Sequence, residues 1–228
     1  MRLPTEEHLK HPWRVSTLAA DFELLDFWRY PIELDQSVPL EQFIDFLKAA
    51  QQDLTSSRGA AGVLFRLRAL LGKVFGWDGN EKDPAPPLPI PGCSETSLRD
   101  RLTDADAEAD LEQGRSASGG ADVGDPGLSF KSVYRFENES LLEISNSTVH
   151  AMMHLGRVSI SETQWSPQLG IYVKPRGRLG PFYMKLISPF RHYIVYPAMM
   201  RAAKTGWPKY AAAHPPAPAP ATESSAAR

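Results

Sequence analysis

His150 and His154 are the residues whose type and spacing first suggest chemistry, because two imidazoles four positions apart on a helix can share one metal ion. On a strand the same spacing sets them ~13 Å apart along one face, at ~3.3 Å per residue. The run VHAMMHLGRVSIS alternates as a strand does, so no metal site is expected and both rings, with Met152 between them, line one face of a sheet. There either ring can act as a general base once a pocket and a partner orient it, and Glu143 on the neighbouring strand is a candidate partner. Cys93 is the only cysteine; it rules out an intrachain disulfide and a Cys-based zinc site, and with no base near it in sequence it reads as a bystander rather than a nucleophile.

A second stretch, Lys174-Pro175-Arg176-Gly177-Arg178-Leu179-Gly180-Pro181, brings cations and glycines to the start of a helix. Free N–H groups at that helix end would make Arg176, Gly177 and Arg178 an anion-binding corner; the competing reading is a glycine turn with solvated arginines. Further on, Arg191 and His192 interrupt an apolar run that holds Tyr183, Tyr193 and Tyr196. Helical spacing turns Phe182, Leu186, Phe190 and Ile194 toward a sheet, with Arg191 reaching back to a carboxylate such as Glu143.

These groups must be positioned by elements with their own signatures. AADFELLDFWRYPIEL reads as an edge strand within 13–34. Pro39 opens a helix with Leu40, Phe43, Ile44, Leu47 and Leu54 on one stripe, and Val63, Leu64, Leu67, Leu70, Leu71, Val74 and Phe75 trace a second helix that Gly76 stops. After a Pro/Gly-rich acidic stretch, in which Thr96 or Ser97 caps a short helix through Leu98 and Leu102, the period changes to two. SFKSVYRFE, LLEISNST, VHAMMHLGRVSIS and LGIYVK form an antiparallel meander. About 26 residues of helix follow, kinked by Pro189 and Pro197.

The chain of 228 residues is the size of one domain: an extension at 1–12, one α+β domain at 13–207 with a loop insertion at 79–127, and an unstructured Ala/Pro tail at 208–228. A net charge of −2 with 42% hydrophobic residues excludes a disordered chain and a polycationic nucleic-acid binder. Charge is nonetheless polarised: Asp78 to Asp125 holds twelve acidic against four basic residues, while Thr163 to Thr222 has eight basic and no acidic ones. With neither an apolar leader nor an apolar run of the ~18–20 residues a span needs, a cytoplasmic protein is expected.

The phrases DFELLDFWRYPI, LFRLRALLGKVFG, PIPGCSETSLRDRL, EISNSTVHAMMHLGRV and YVKPRGRLGPFYMKLISPFRHYIVYPAMMR resemble the bacterial DUF2867 family, over about Trp13 to Arg201. That family is similar to the helix-grip (START, Bet v 1-like) superfamily, which implies a curved antiparallel sheet with a helix pair and a long kinked C-terminal helix packed on it. It also implies a small apolar or amphipathic ligand between sheet and helix. The family has no established activity, so no catalytic residue is carried over.

On this reading the ligand is lined by Met153, His154, Phe182, Leu186, Phe190 and Tyr193, with Arg191 or Arg176 at its charged end, and no cofactor or metal is called for. Two rivals differ in class. One is a cyclase- or hydrolase-like enzyme using His150 or His154 as base. The other is an interaction module whose basic C-terminal helix meets an anionic membrane or an acidic partner.

Overall fold

The computed structural model describes residues 1–56, 96–110, 130–145, 149–177 and 179–215. Two short helices open the chain, α1 (Thr5–Leu9) and α2 (Arg14–Leu18), followed by β1 (Glu23–Arg29), β2 (Leu34–Asp35) and α3 (Leu40–Ser56). A 3₁₀ turn (Leu98–Arg101) and α4 (Asp104–Ala109) precede β3 (Lys131–Arg135), β4 (Glu139–Ser145), β5 (Val149–Ser159) and β6 (Gln164–Pro175). The chain then runs through α5 (Leu179–Phe190), a π turn (Arg191–Val195) and α6 (Tyr196–Ala213). The six-stranded sheet has the order β1-β6-β5-β4-β3, with β2 beside β1 on β6, and every pairing is antiparallel.

This is the expected α+β architecture, and β1 does lie at an edge. Ser97 caps the 3₁₀ turn as anticipated, accepting from the Arg99 N–H at 3.1 Å. The second helix read at 63–75, most of the loop insertion at 79–127, Cys93 and the end of the tail lie outside the described residues. Helix α6 runs to Ala213, past the expected start of the tail.

Strand alternation sends Met153 and Leu155 of β5 and Trp165, Leu169 and Ile171 of β6 to one face. Helices α3 and α6 cover it: Leu40, Phe43, Ile44 and Phe46 meet Tyr196, Met200, Ala203 and Trp207 over Trp165 and Leu155 in one cluster. Ring centroids of Phe43 lie 5.1 Å from Tyr30, 5.7 Å from Trp207 and 6.5 Å from Trp165, so sheet and helices interdigitate there. The Trp165 indole N–H donates to the carbonyls of Asp35 and Val38 at 3.0 and 3.1 Å.

The C-terminal helix departs from expectation in phase. Phe182 (67% exposed), Leu186 (51%), Phe190 (42%) and Tyr193 (82%) face outward, and Ile194 is half-buried. The π turn is the reason. Its wider winding takes up one extra residue, which rotates everything beyond it by ~100°. A single unbroken period therefore cannot describe both halves, and the stripe that meets the sheet is Tyr196, Met200, Ala203 and Trp207 of α6. Pro189 and Pro197 flank the turn, each withholding an N–H from the ordinary ladder.

Candidate functional site

The opposite face of the sheet carries a second apolar cluster, with Leu141, Met152, Val158 and Tyr172 packed against Trp13, Val15, Leu18 and Leu98, and polar pairs are buried within it. Glu139, Leu141 and Glu143 of β4, His150, Met152 and His154 of β5 and Tyr172 of β6 share it. Glu139 pairs with Gly156 and Glu143 with Met152, so each carboxylate stands diagonal to the histidine two places back along β5. Two hydrogen-bonded pairs of the same design result: His154 Nε2 to Glu139 Oε2 at 3.0 Å and His150 Nε2 to Glu143 Oε2 at 3.3 Å, with all of these side chains buried.

Both carboxylates are fixed from a second side. Glu139 accepts from the Tyr134 hydroxyl at 2.7 Å and the Arg14 backbone N–H at 2.8 Å. Glu143 accepts from the Leu98 N–H at 3.0 Å and from the Ser97 hydroxyl. Burial alone would raise both carboxyl pKa values, but the hydrogen bonds, led by those from the histidines, outweigh it and hold them below the ordinary range. Burial, and then the charge of Glu139, pushes the Tyr134 phenol up; burial takes Tyr172 to about 12.

What covers the two pairs differs. Phe22 lies edge-on to His150 at 4.9 Å, and the Ser97–Leu98 backbone closes over Glu143. His154 is covered instead by the amino-terminal segment, whose Trp13 and His8 rings sit 5.1 and 5.0 Å from its own. Two glycines make this approach possible. A Cβ on Gly156 would fall 2.8 Å from the Trp13 ring, and one on Gly170 would fall 3.2 Å from His8. His8 is fully buried against Phe27, Tyr172 and His154, and burial, followed by the charges of His154 and His11, lowers its pKa to about 3.

A separate cluster joins β1 to the π turn. Asp26, buried at a β-bulge, accepts from His192 Nε2 at 2.6 Å and the Tyr196 hydroxyl at 2.8 Å, with Arg191 3.4 Å away. Ser188 Oγ lies 3.2 Å from His192 Nδ1, which completes a Ser-His-Asp string by composition. The same Nδ1 is closer to the Ser188 carbonyl, at 2.8 Å, than to the hydroxyl, so the ring is seated on its own helix backbone and not aimed at the hydroxyl as a base would be. The cluster is a clamp that holds the π turn on the sheet edge.

The residues anticipated as ligand lining are not gathered in one place. Met153 packs on the helix-covered face, His154 lies on the other, and Phe182, Leu186, Phe190 and Tyr193 are exposed. Arg191 reaches Asp26 rather than Glu143, which is enclosed on the far side of the sheet. At the anticipated anion corner Gly177 does adopt a positive φ of 59°, while Arg176 donates to Ser145 Oγ at 2.6 Å and Arg178 lies outside the described residues. No group of three or more metal-ligating side chains occurs among the described residues, and none of their helices is long and apolar enough to cross a membrane.

Residues 18–198 match the family described as protein of unknown function DUF2867. The chain belongs to DUF2867. No curated protein and no solved structure matches it. Within this DUF2867 chain Glu139, His154, Glu143, His150 and the Asp26 clamp fall inside the matched span, whereas His8 and Trp13 precede it. Residue-by-residue reading missed Glu139, Asp26, His8 and Trp13 as parts of clusters. One signal was available: the four-residue spacing of Glu139 and Glu143 equals that of His150 and His154, as paired antiparallel strands require for two like diagonals.

Proposed function

We propose that this DUF2867 protein docks on an anionic lipid surface through the outer face of α5 and the π turn. The observation that carries this reading is that Phe182, Leu186, Phe190 and Tyr193, between 42% and 82% exposed, fall on one side of a helix that the sheet does not cover. Large apolar side chains grouped on a surface mark an interaction site rather than ordinary exposure. Cations complement them: Lys185 lies in the same helix, Arg201, Lys204 and Lys209 follow along α6, all four are exposed, and no acidic residue occurs between Thr163 and Thr222. Rings and leucine would enter the acyl boundary while the basic residues meet headgroups. The ligand class anticipated from the family resemblance, amphipathic with an acidic end, is thus kept, but it is met as a bilayer surface and not as a single enclosed molecule.

Co-sedimentation with vesicles tests it. Phosphatidylglycerol vesicles should retain the protein, phosphatidylcholine vesicles should not, and raising salt from 50 to 500 mM should release it, because screening shortens the reach of surface charge. The triple substitution Phe182→Ser, Leu186→Ser, Tyr193→Ser should abolish retention without shifting Tm. Equal retention on both vesicle types would overturn the electrostatic part. A concentration-dependent dimer with no vesicle binding would assign the stripe to a second copy of the chain.

A further inference from the structure

Buried polar groups in native proteins are nearly always partnered, and a buried group without a partner calls for a reason. Under the amino-terminal segment such atoms converge: both ring nitrogens of His8, Nδ1 of His154 and Nε1 of Trp13. That segment is held mainly by two buried rings. Of residues 1–13 only His8 and Trp13 are buried, and its backbone ties are made by Met1 and Leu3 to Arg29 and Phe27 of β1. It also lies ahead of residues 18–198, the span that matches DUF2867.

We propose that Glu139 and His154 form a general-base dyad whose substrate position is filled, in this conformation, by the rings of Trp13 and His8, and that its substrate is a flat aromatic molecule bearing an acidic C–H, N–H or O–H.

The dyad has the parts such chemistry needs. Glu139 is held by Tyr134 and the Arg14 N–H, and it accepts a hydrogen bond from the Nε2–H of His154, so the lone pair lies on the unpartnered Nδ1. When Nδ1 accepts a proton, the adjacent carboxylate stabilises the imidazolium that forms. The shape of the position specifies the substrate. Gly156 and Gly170 leave a floor without side chains on adjacent strands, Phe27 and Tyr172 stand beside it, and two flat rings already lie there. The companion pair, His150 and Glu143, is closed over by Phe22 and by the Leu98 N–H, and its carboxylate is held by the backbone of that cover.

An indole-sized base probe tests the dyad. In 5-nitrobenzisoxazole, loss of the C3 proton to a base turns the C–H electron pair into the nitrile bond, breaks N–O and releases the oxygen as a phenolate, with no other reactant. Full-length Trp13→Ala, which vacates the indole position, should eliminate the probe about a hundredfold faster than the wild type, the scale of general-base catalysis. Adding His154→Gln should return the rate to the wild-type level, and adding Glu139→Gln should lower it in part. A folded Trp13→Ala protein no faster than the wild type, or one unaffected by His154→Gln, would overturn the proposal. A second measurement needs no variant: imidazole ¹⁵N spectra of the wild-type protein should show His154 with its proton on Nε2 and Nδ1 bare. A proton on Nδ1 would equally overturn it.

Discussion

The two faces of this sheet are made by the same strands and both carry an apolar cluster, but only one of them sets buried carboxylate–histidine pairs into it. Toward α3 and α6 the strands present Met153, Leu155, Trp165, Leu169 and Ile171, the partner helices answer with Phe43, Phe46, Met200 and Trp207, and the indole N–H of Trp165 is satisfied twice over. Toward the amino-terminal segment they present Leu141, Met152, Val158 and Tyr172 and, among them, Glu139, Glu143, His150 and His154, and four nitrogens of His8, His154 and Trp13 are left without partners. Because neighbouring residues of a strand point to opposite sides, one segment such as Met152-Met153-His154-Leu155 serves both. Apolar contact on one side holds the strands in register, and that rigidity is what keeps the carboxylate–histidine diagonals at hydrogen-bonding distance on the other.

If this division is right, the largest losses of stability come from the helix-covered face. Trp165→Ala or Phe43→Ala should cost ~3–5 kcal/mol by cavity formation, read as a lower urea midpoint. A loss below ~1 kcal/mol would mean that this face is not the main support. Next comes the clamp. Asp26→Ala leaves Arg191 and His192 without their shared carboxylate, and since both retain some contact with water the cost should be ~2–3 kcal/mol. Because the clamp fixes the π turn, the same substitution should raise hydrogen exchange through residues 191–195 ahead of the rest of α6.

The opposite face should show itself in pH dependence. His8 titrates near 6.5 when unfolded and about 3 when folded, so between those values the unfolded chain binds more protons and stability rises with pH. The contribution is whole above pH 6.5 and is lost on acidification toward pH 3, at up to ~1.4 kcal/mol per unit. Glu139 and Glu143 act in the same direction but only below the ordinary carboxylate range, because their folded pKa values are depressed. His8→Phe should therefore flatten the stability curve from pH 6.5 down to about 3 and leave only the carboxylate part of the acid limb. An unchanged curve would show that His8 is not buried in solution.

Much of the layout was legible in the amino-acid sequence because it depends on local period. The four strands of the meander, the helix after Pro39 and the Ser97 cap all follow from alternation, helical spacing and capping chemistry. The phase of the last helix was not legible, because one π turn between Pro189 and Pro197 rotates the stripe beyond it and leaves Phe182, Leu186, Phe190 and Tyr193 outside. The clusters were illegible for another reason. Asp26 and His192 are 166 positions apart, and His154 meets Glu139 only through the β4–β5 register, so their partnership is a property of the pairing and not of either segment. His150 with Glu143 could be anticipated because the connection between those strands is short.

The smallest expected effect isolates how the two faces are joined. Gly177, at φ 59°, makes the turn from β6 into α5, and a Cβ placed there would meet nothing within 4 Å. Gly177→Ala is thus a conformational change without a steric one, and it should cost ~1 kcal/mol through the backbone alone. Since the packing around the turn is untouched, the denaturant slope should stay as in the wild type. The turn leads to the helices that cover the apolar face, whereas the Glu139–His154 pair is set by strand register. The His154 imidazole resonances should therefore not move in this variant; if they shift, α5 and the carboxylate–histidine face are coupled through β6, and the two sides of the sheet are less independent than their packing implies.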